Sequence, residues 1–288
     1  MQKIKLHFDW FFVAAASASY FFGVVVARFS GRPLKILNLA AGLLIFFSFY
    51  LLQKVQIYMT SNRVNPFTKV RGVGESQSAT ALTLILAGFF GVFAGMYFLL
   101  QAKVLIGVNM MLIIAMAVLM FLSLGRFSRL FTSTMSWLFE GLVVSPILFL
   151  LGSSVQEYQF TPLLFLLWMP LFFLYGASAI TLLFSEYDKS SSARSNSFIA
   201  SVGWEKALRF HHALILLCYV SLFIYILTSN TWSRNWPALL LSIVSGLEVF
   251  LLEQMAGGMR PNWKLIRALA IVQFFSLIYL LTYPLLIQ

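Results

Sequence analysis

The chain has 288 residues, of which 60% are hydrophobic and only 10% are charged. Soluble globular domains carry about 25% charged residues, so this composition excludes a soluble enzyme, a secreted disulfide scaffold and a disordered chain. The one cysteine, Cys218, has no partner for an intramolecular disulfide. The net charge of +11 is typical of a membrane protein with basic loops and does not indicate nucleic-acid binding. We therefore predict an all-α polytopic membrane protein.

Nine apolar segments follow one another along the chain. A membrane crossing needs about 20 mostly apolar residues. The segments are 9–28, 34–53, 80–100, 104–123, 135–153, 161–184, 209–228, 236–253 and 265–287. The first is followed by Arg28 and Arg32 rather than by a cleavage signal, which indicates a retained helix. We predict nine transmembrane helices in a single domain spanning residues 1–288.

The basic residues set the expected orientation of these helices. With a cytoplasmic N-terminus, 15 of the 20 lysines and arginines fall in inner segments. The other five are Arg28, Arg32, Lys35, Lys103 and Arg234. Because basic residues accumulate on the cytoplasmic side, we predict an integral protein of the plasma (inner) membrane with its N-terminus in the cytoplasm. Two inner loops, 54–79 and 185–208, then hold most of the polar residues.

Several ionisable residues lie within or beside the apolar segments, in the predicted cytoplasmic half. Asp9, Glu140 and Glu248 are the acids. Such groups usually face a bundle interior or a wet cavity, and for Glu248 we favour a cavity. Asp9 at the interface and Glu140 paired with an arginine are equally good alternatives. His211 and His212 are adjacent, which argues against a shared metal ion and favours an interfacial position.

The first inner loop carries the pattern Asn-Arg-Val-Asn-Pro at 62–66, followed by Lys69 and Arg71. This pattern resembles the first aspartate-rich motif of the UbiA-type intramembrane prenyltransferases. The family motif reads Asn-Asp-x-x-Asp-x-x-x-Asp, then Lys-x-Asn-x-Pro, a basic residue and a glycine. An alignment without gaps over 54–74 pairs 62–66 with the end of the aspartate run.

The second inner loop and the connection between the fourth and fifth spans extend the resemblance. Residues 201–207, Ser-Val-Gly-Trp-Glu-Lys-Ala, are similar to the end of the family's second motif. Arg126 and Arg129 stand where the family often carries a basic pair. The nine spans with two long inner loops also match, so the resemblance implies a UbiA-like helical bundle.

The chain departs from both motifs at their acidic positions. Tyr58 stands at the middle aspartate of the first motif and Asn62 at its last. In the second motif, Glu186 and Ser190 replace aspartates, and Asp188 lies between them. No aspartate occurs between Asp9 and Asp188.

The resemblance implies a protein that transfers an isoprenyl group from an isoprenyl diphosphate to an acceptor. Glu186 and Asp188 would then be the catalytic residues and would bind Mg²⁺. The residues implied to bind the diphosphate are Asn62, Lys69, Arg71, Arg126, Arg129 and Arg194. Two alternatives stay open: a non-catalytic subunit that binds an isoprenyl diphosphate or another anionic lipid, and basic loops that only contact membrane lipids.

Overall fold

The computed structural model describes residues 9–62, 74–105, 107–123, 136–157, 162–189, 198–229, 232–260 and 262–286. These residues are almost entirely helical. The helices, in chain order, are α1 (Trp10–Phe29), α2 (Ile36–Asn62), α3 (Gly74–Gln101), α4 (Gly107–Leu122), α5 (Ser136–Ser154), α6 (Pro162–Lys189), the short α7 (Phe198–Val202), α8 (Trp204–Thr228), α9 (Trp232–Ala256) and α10 (Trp263–Leu286). Each predicted span corresponds to one of the long helices.

Eight helices within the described ranges are long and apolar enough to cross a membrane. The exception among the nine predicted spans is α4, whose described part has 16 residues. At 1.5 Å per residue α4 is about 24 Å long, which is less than the hydrocarbon core of about 30 Å. The described fold is that of an integral membrane protein built as a helical bundle.

Both predicted inner loops are shorter than the sequence indicated. Helix α2 continues to Asn62 and α3 begins at Gly74, so helix occupies much of 54–79. Helix α6 continues to Lys189, and α7 and α8 occupy most of 198–208. The sequence prediction used runs of apolar residues to place the helices. A helix that continues outside the membrane through polar residues has no such run, so its end was predicted as loop.

Helix α1 lies at the centre of the bundle, where it packs against α5 and α10. Its contact with α5 depends on two glycines. A Cβ atom added to Gly23 would lie 2.0 Å from the Phe149 carbonyl oxygen, and one added to Gly152 would lie 2.1 Å from the Tyr20 carbonyl oxygen. The two backbones therefore touch directly, as small residues allow in membrane bundles.

Helices α2 and α3 pack closely at three glycines of α3. Added Cβ atoms at Gly88, Gly91 and Gly95 would overlap Leu52, Ser48 and Ile45 of α2 respectively. The absence of a side chain at these positions therefore lets the two helices approach each other.

Helix α5 contains one π-helical turn, Val143–Ile147, around Pro146. Proline lacks a backbone N–H and disturbs the regular helical hydrogen bonds. The turn separates the first part of α5, which carries Trp137 and Glu140, from the part that packs on α1.

Candidate functional site

A cavity of about 520 Å³ lies among the ends of five helices. These are the starts of α1, α5 and α10 and the ends of α2 and α6. Volumes of about 300–1,000 Å³ are usual for small-molecule sites. The residues that line the cavity include Asp9, Phe11, Lys54, Trp137, Glu140, Tyr175, Glu186 and Arg267.

Two cations line the cavity, one from the N-terminal part of the chain and one from the C-terminal part. Lys54 belongs to the last part of α2, and its Nζ lies 5.0 Å from the centre of the Tyr50 ring. Arg267 lies on the first turns of α10. Within the described ranges, neither side chain forms an ion pair or a hydrogen bond. Both keep their donors available to a molecule in the cavity.

Two of the three carboxylates that line the cavity already accept hydrogen bonds from the protein. Asp9 caps α1, where its Oδ1 accepts the Phe12 N–H at 3.1 Å. Asparagine and aspartate are favoured at this position because they satisfy free backbone N–H groups. The Oε2 of Glu140 accepts a long hydrogen bond of 3.5 Å from the Tyr175 hydroxyl. Glu186 is exposed at the mouth of the cavity.

Trp137 also belongs to the cavity wall, and its side chain is buried. The cavity therefore presents two cations, Lys54 and Arg267, together with the three carboxylates described above. Because the two cations form no hydrogen bond within the described ranges, they are the donors that an oxygen-rich anionic ligand would meet.

Aromatic rings form the deeper wall of the cavity. The rings of Phe11 and Tyr175 are stacked, with centroids 5.4 Å apart, and Phe274 packs edge-on against both at 5.9 Å. Charged residues at the mouth and aromatic residues within suit a ligand that has a polar head and an apolar tail.

Of the site residues predicted from the sequence, Glu186 lines this cavity. Asn62 and Asp188 lie in α2 and α6, but their side chains are outside the described residues. Lys69, Arg71, Arg126, Arg129 and Arg194 are also outside them. Whether these residues reach the cavity stays a prediction.

The described side chains do not fit the Mg²⁺ site that the motif resemblance implies. In the alignment without gaps, Val55 stands at the first aspartate, and its side chain is 1% exposed. Tyr58 and Lys54 stand at two other polar positions of the motif, so α2 presents a cation to the cavity. No group of three metal-binding side chains occurs in the described part of the chain.

Glu248 does not lie in the cavity, so this part of the prediction is wrong. It is fully buried in a separate polar network. Thr181 donates a hydrogen bond of 2.7 Å to its Oε1, and Gln273 donates one to its Oε2. Ser245 donates to Gln273 in turn. The network joins α6, α9 and α10 inside the bundle, where a buried carboxylate needs hydrogen-bonding partners.

The prediction of an interfacial His211 is also wrong. His211 is fully buried, and its Nε2 lies 3.6 Å from the Oε1 of Glu248. The adjacent His212 faces Glu253 instead, at 3.4 Å. The two histidines therefore face different acids.

Comparison with known proteins supports the fold. No protein-family model matches this chain, and no curated protein is detectably similar to it. The apo structure of a UbiA homolog from Aeropyrum pernix K1 is similar, with a TM-score of 0.58 and 13% sequence identity. The similarity covers 96% of this chain and 98% of that one. The protein is thus an integral membrane protein with the UbiA-like fold, as the motif resemblance implied.

Sequence reasoning missed Lys54, Trp137, Tyr175 and Arg267 as residues of the cavity. Arg267 lies inside the last apolar segment, and Lys54 directly follows the second. A basic residue inside or beside an apolar segment is a signal of function in membrane proteins. In the sequence, Lys54 and Arg267 were interpreted only as markers of membrane orientation and not as candidates for a binding site.

Proposed function

We propose that the cavity binds an isoprenyl diphosphate and that the protein transfers the isoprenyl group to an acceptor within the bilayer. The observation that carries this proposal is the combination of free donors at the cavity mouth and aromatic rings within. Lys54 and Arg267 suit the diphosphate oxygens. Phe11 and Tyr175 suit the first units of the isoprenyl chain. The UbiA-like fold supports the proposal.

In the proposed reaction the C–O bond of the allylic diphosphate breaks, and pyrophosphate leaves with the electron pair. The acceptor forms a new bond to the allylic carbon and gives its proton to solvent or to pyrophosphate. Fixed cations lower the barrier when they meet charge that develops on the leaving group. Lys54 and Arg267 would serve this purpose, and the ring faces of Phe11 and Tyr175 would exclude water from the allylic cation.

We also propose roles for the site residues that the motif resemblance implies. Glu186 and Asp188 take part in catalysis, and the diphosphate is also contacted by Asn62, Lys69, Arg71, Arg126, Arg129 and Arg194. The cavity opens to the cytoplasm of a plasma (inner) membrane protein whose N-terminus is cytoplasmic. Residues 1–288 form one domain. The distribution of basic residues supports this orientation.

Pyrophosphate release tests the proposed activity. Purified protein mixed with radiolabelled geranyl, farnesyl or geranylgeranyl diphosphate and a membrane lipid extract is expected to release pyrophosphate. Glu186→Gln and Asp188→Asn are each expected to slow release by about 10-fold or more, the effect of losing one charged contact. Glu205→Gln is the matched control, because Glu205 is exposed and pairs with Arg209 on the surface. Unchanged release in the first two variants would reject their roles.

The rival function is that of a non-catalytic protein that binds an anionic lipid. The observation that favours it is Val55, which is buried where the family motif has its first aspartate. In this case farnesyl diphosphate would bind without release of pyrophosphate. A lipid would also copurify with the protein, and mass spectrometry would identify it.

A further inference from the structure

We propose that Lys54 and Arg267 bind the diphosphate directly and that this binding does not require a divalent metal ion. The inference rests on the proposed function, because it assumes an isoprenyl diphosphate in the cavity. It departs from the Mg²⁺ site that the motif resemblance implies. The free donors of the cavity and the residues at the metal-binding positions of α2 both support it.

Helix α2 carries a cation beside the position where the motif has its first metal ligand. The Val55 side chain is buried at the position of the first aspartate, so this position offers no ligand to the cavity. The preceding residue, Lys54, stands where the motif has asparagine, and it lines the cavity. Helix α2 therefore replaces an oxygen ligand for a metal with a fixed positive charge.

Helix α10 supplies a second cation. Arg267 adds a guanidinium group to the same cavity, where it has no protein partner among the described residues. Arginine binds phosphate groups through two parallel hydrogen bonds and stays charged at all ordinary pH values. Lysine binds phosphate as a point charge. Together the two side chains supply two positive charges, which equals the charge of one Mg²⁺ ion.

Three carboxylates line the cavity beside the two cations. Asp9 accepts a backbone N–H at the start of α1, Glu140 accepts the Tyr175 hydroxyl, and Glu186 is exposed. No group of three metal-binding side chains occurs among the described residues. Direct binding of the diphosphate therefore depends on the contacts of Lys54 and Arg267 with its oxygens and not on the net charge of the cavity.

Binding of farnesyl thiodiphosphate, a slowly reacting analogue, tests the inference. The full-length protein in nanodiscs would be titrated with the analogue in EDTA and, separately, in Mg²⁺. The dissociation constant is expected to be equal within about 2-fold in the two buffers. Lys54→Gln and Arg267→Gln are each expected to weaken binding in EDTA by about 10-fold or more. Lys264→Gln, an exposed residue one turn from Arg267, is the control that keeps full affinity.

The outcomes separate this inference from the proposed function. Binding that is lost in EDTA and restored by Mg²⁺ would overturn the inference and leave the proposed function standing. No binding in either buffer would overturn both. An equal loss of affinity in Lys264→Gln would show general surface attraction and overturn the role of the two cavity residues. The thermal unfolding temperature of each variant, measured in the same nanodiscs, would identify losses that come from misfolding.

Discussion

Alanine at Gly23 or at Gly152 is expected to destabilise the protein by at least about 3 kcal/mol, which is at the upper end for overpacking a core. The added methyl groups would lie 2.0 Å from the Phe149 carbonyl oxygen and 2.1 Å from the Tyr20 carbonyl oxygen. Rotation of a side chain cannot relieve these overlaps, because both partners are backbone atoms. Helix α1 would have to move away from α5. Thermal unfolding in a mild detergent would measure the loss.

A third glycine provides the control for this prediction. Gly246 lies in α9, and an added Cβ atom would have no neighbour within 4 Å. Alanine is the better helix former by about 1 kcal/mol, so Gly246→Ala is expected to be neutral or stabilising. The same substitution would therefore have opposite effects at different sites. If Gly23→Ala and Gly152→Ala unfold at the wild-type temperature, α1 and α5 do not cross as closely as described.

Leucine at Glu248 is expected to cost about 2–6 kcal/mol, because two buried donors lose their acceptor and each such loss costs about 1–3 kcal/mol. His211, Thr181 and Gln273 would each lose a polar contact inside the bundle. His211→Leu is expected to cost a similar amount, because it leaves the Glu248 carboxylate without its neighbouring imidazole. Unfolding in a titration with a denaturing detergent would give both values.

A variant with leucine at both Glu248 and His211 measures the interaction between these two residues apart from their contacts with other residues. With both side chains replaced by leucine, the cost is expected to be smaller than the sum of the single costs by about 0.5–3 kcal/mol, as for residues in direct contact. His212→Leu is the control, since His212 is partly exposed and faces Glu253 instead. Costs that simply add in the double variant would contradict a direct interaction between His211 and Glu248.

The cavity shows why part of the site could be predicted and part could not. Glu186 was found because it stands at an acidic position of a recognisable motif. Trp137 and Tyr175 were missed, because tryptophan and tyrosine in an apolar segment are as common at packing and interfacial positions as in binding sites. Their assignment needed the neighbours that α1, α2 and α10 bring to them.

Glu248 illustrates the same limit for buried polar residues. Its depth along the apolar segment indicates that it avoids lipid. Depth alone does not tell whether a residue faces a cavity or another side chain. Thr181 and Gln273, which complete the network, lie 67 and 25 residues away from Glu248 in the sequence.

By itself the sequence determined that the chain is a bundle of membrane-spanning helices, where those helices lie, and that the bundle is UbiA-like. These properties follow from runs of apolar residues and from short motifs. Both are formed by residues that are neighbours in the sequence, so they can be recognised without the fold. The tertiary structure decided which charged residues share the cavity and which acid is enclosed by the protein. Those properties depend on which helices are neighbours and on how each is rotated, and contacts between distant residues such as Gly23 and Phe149 set both.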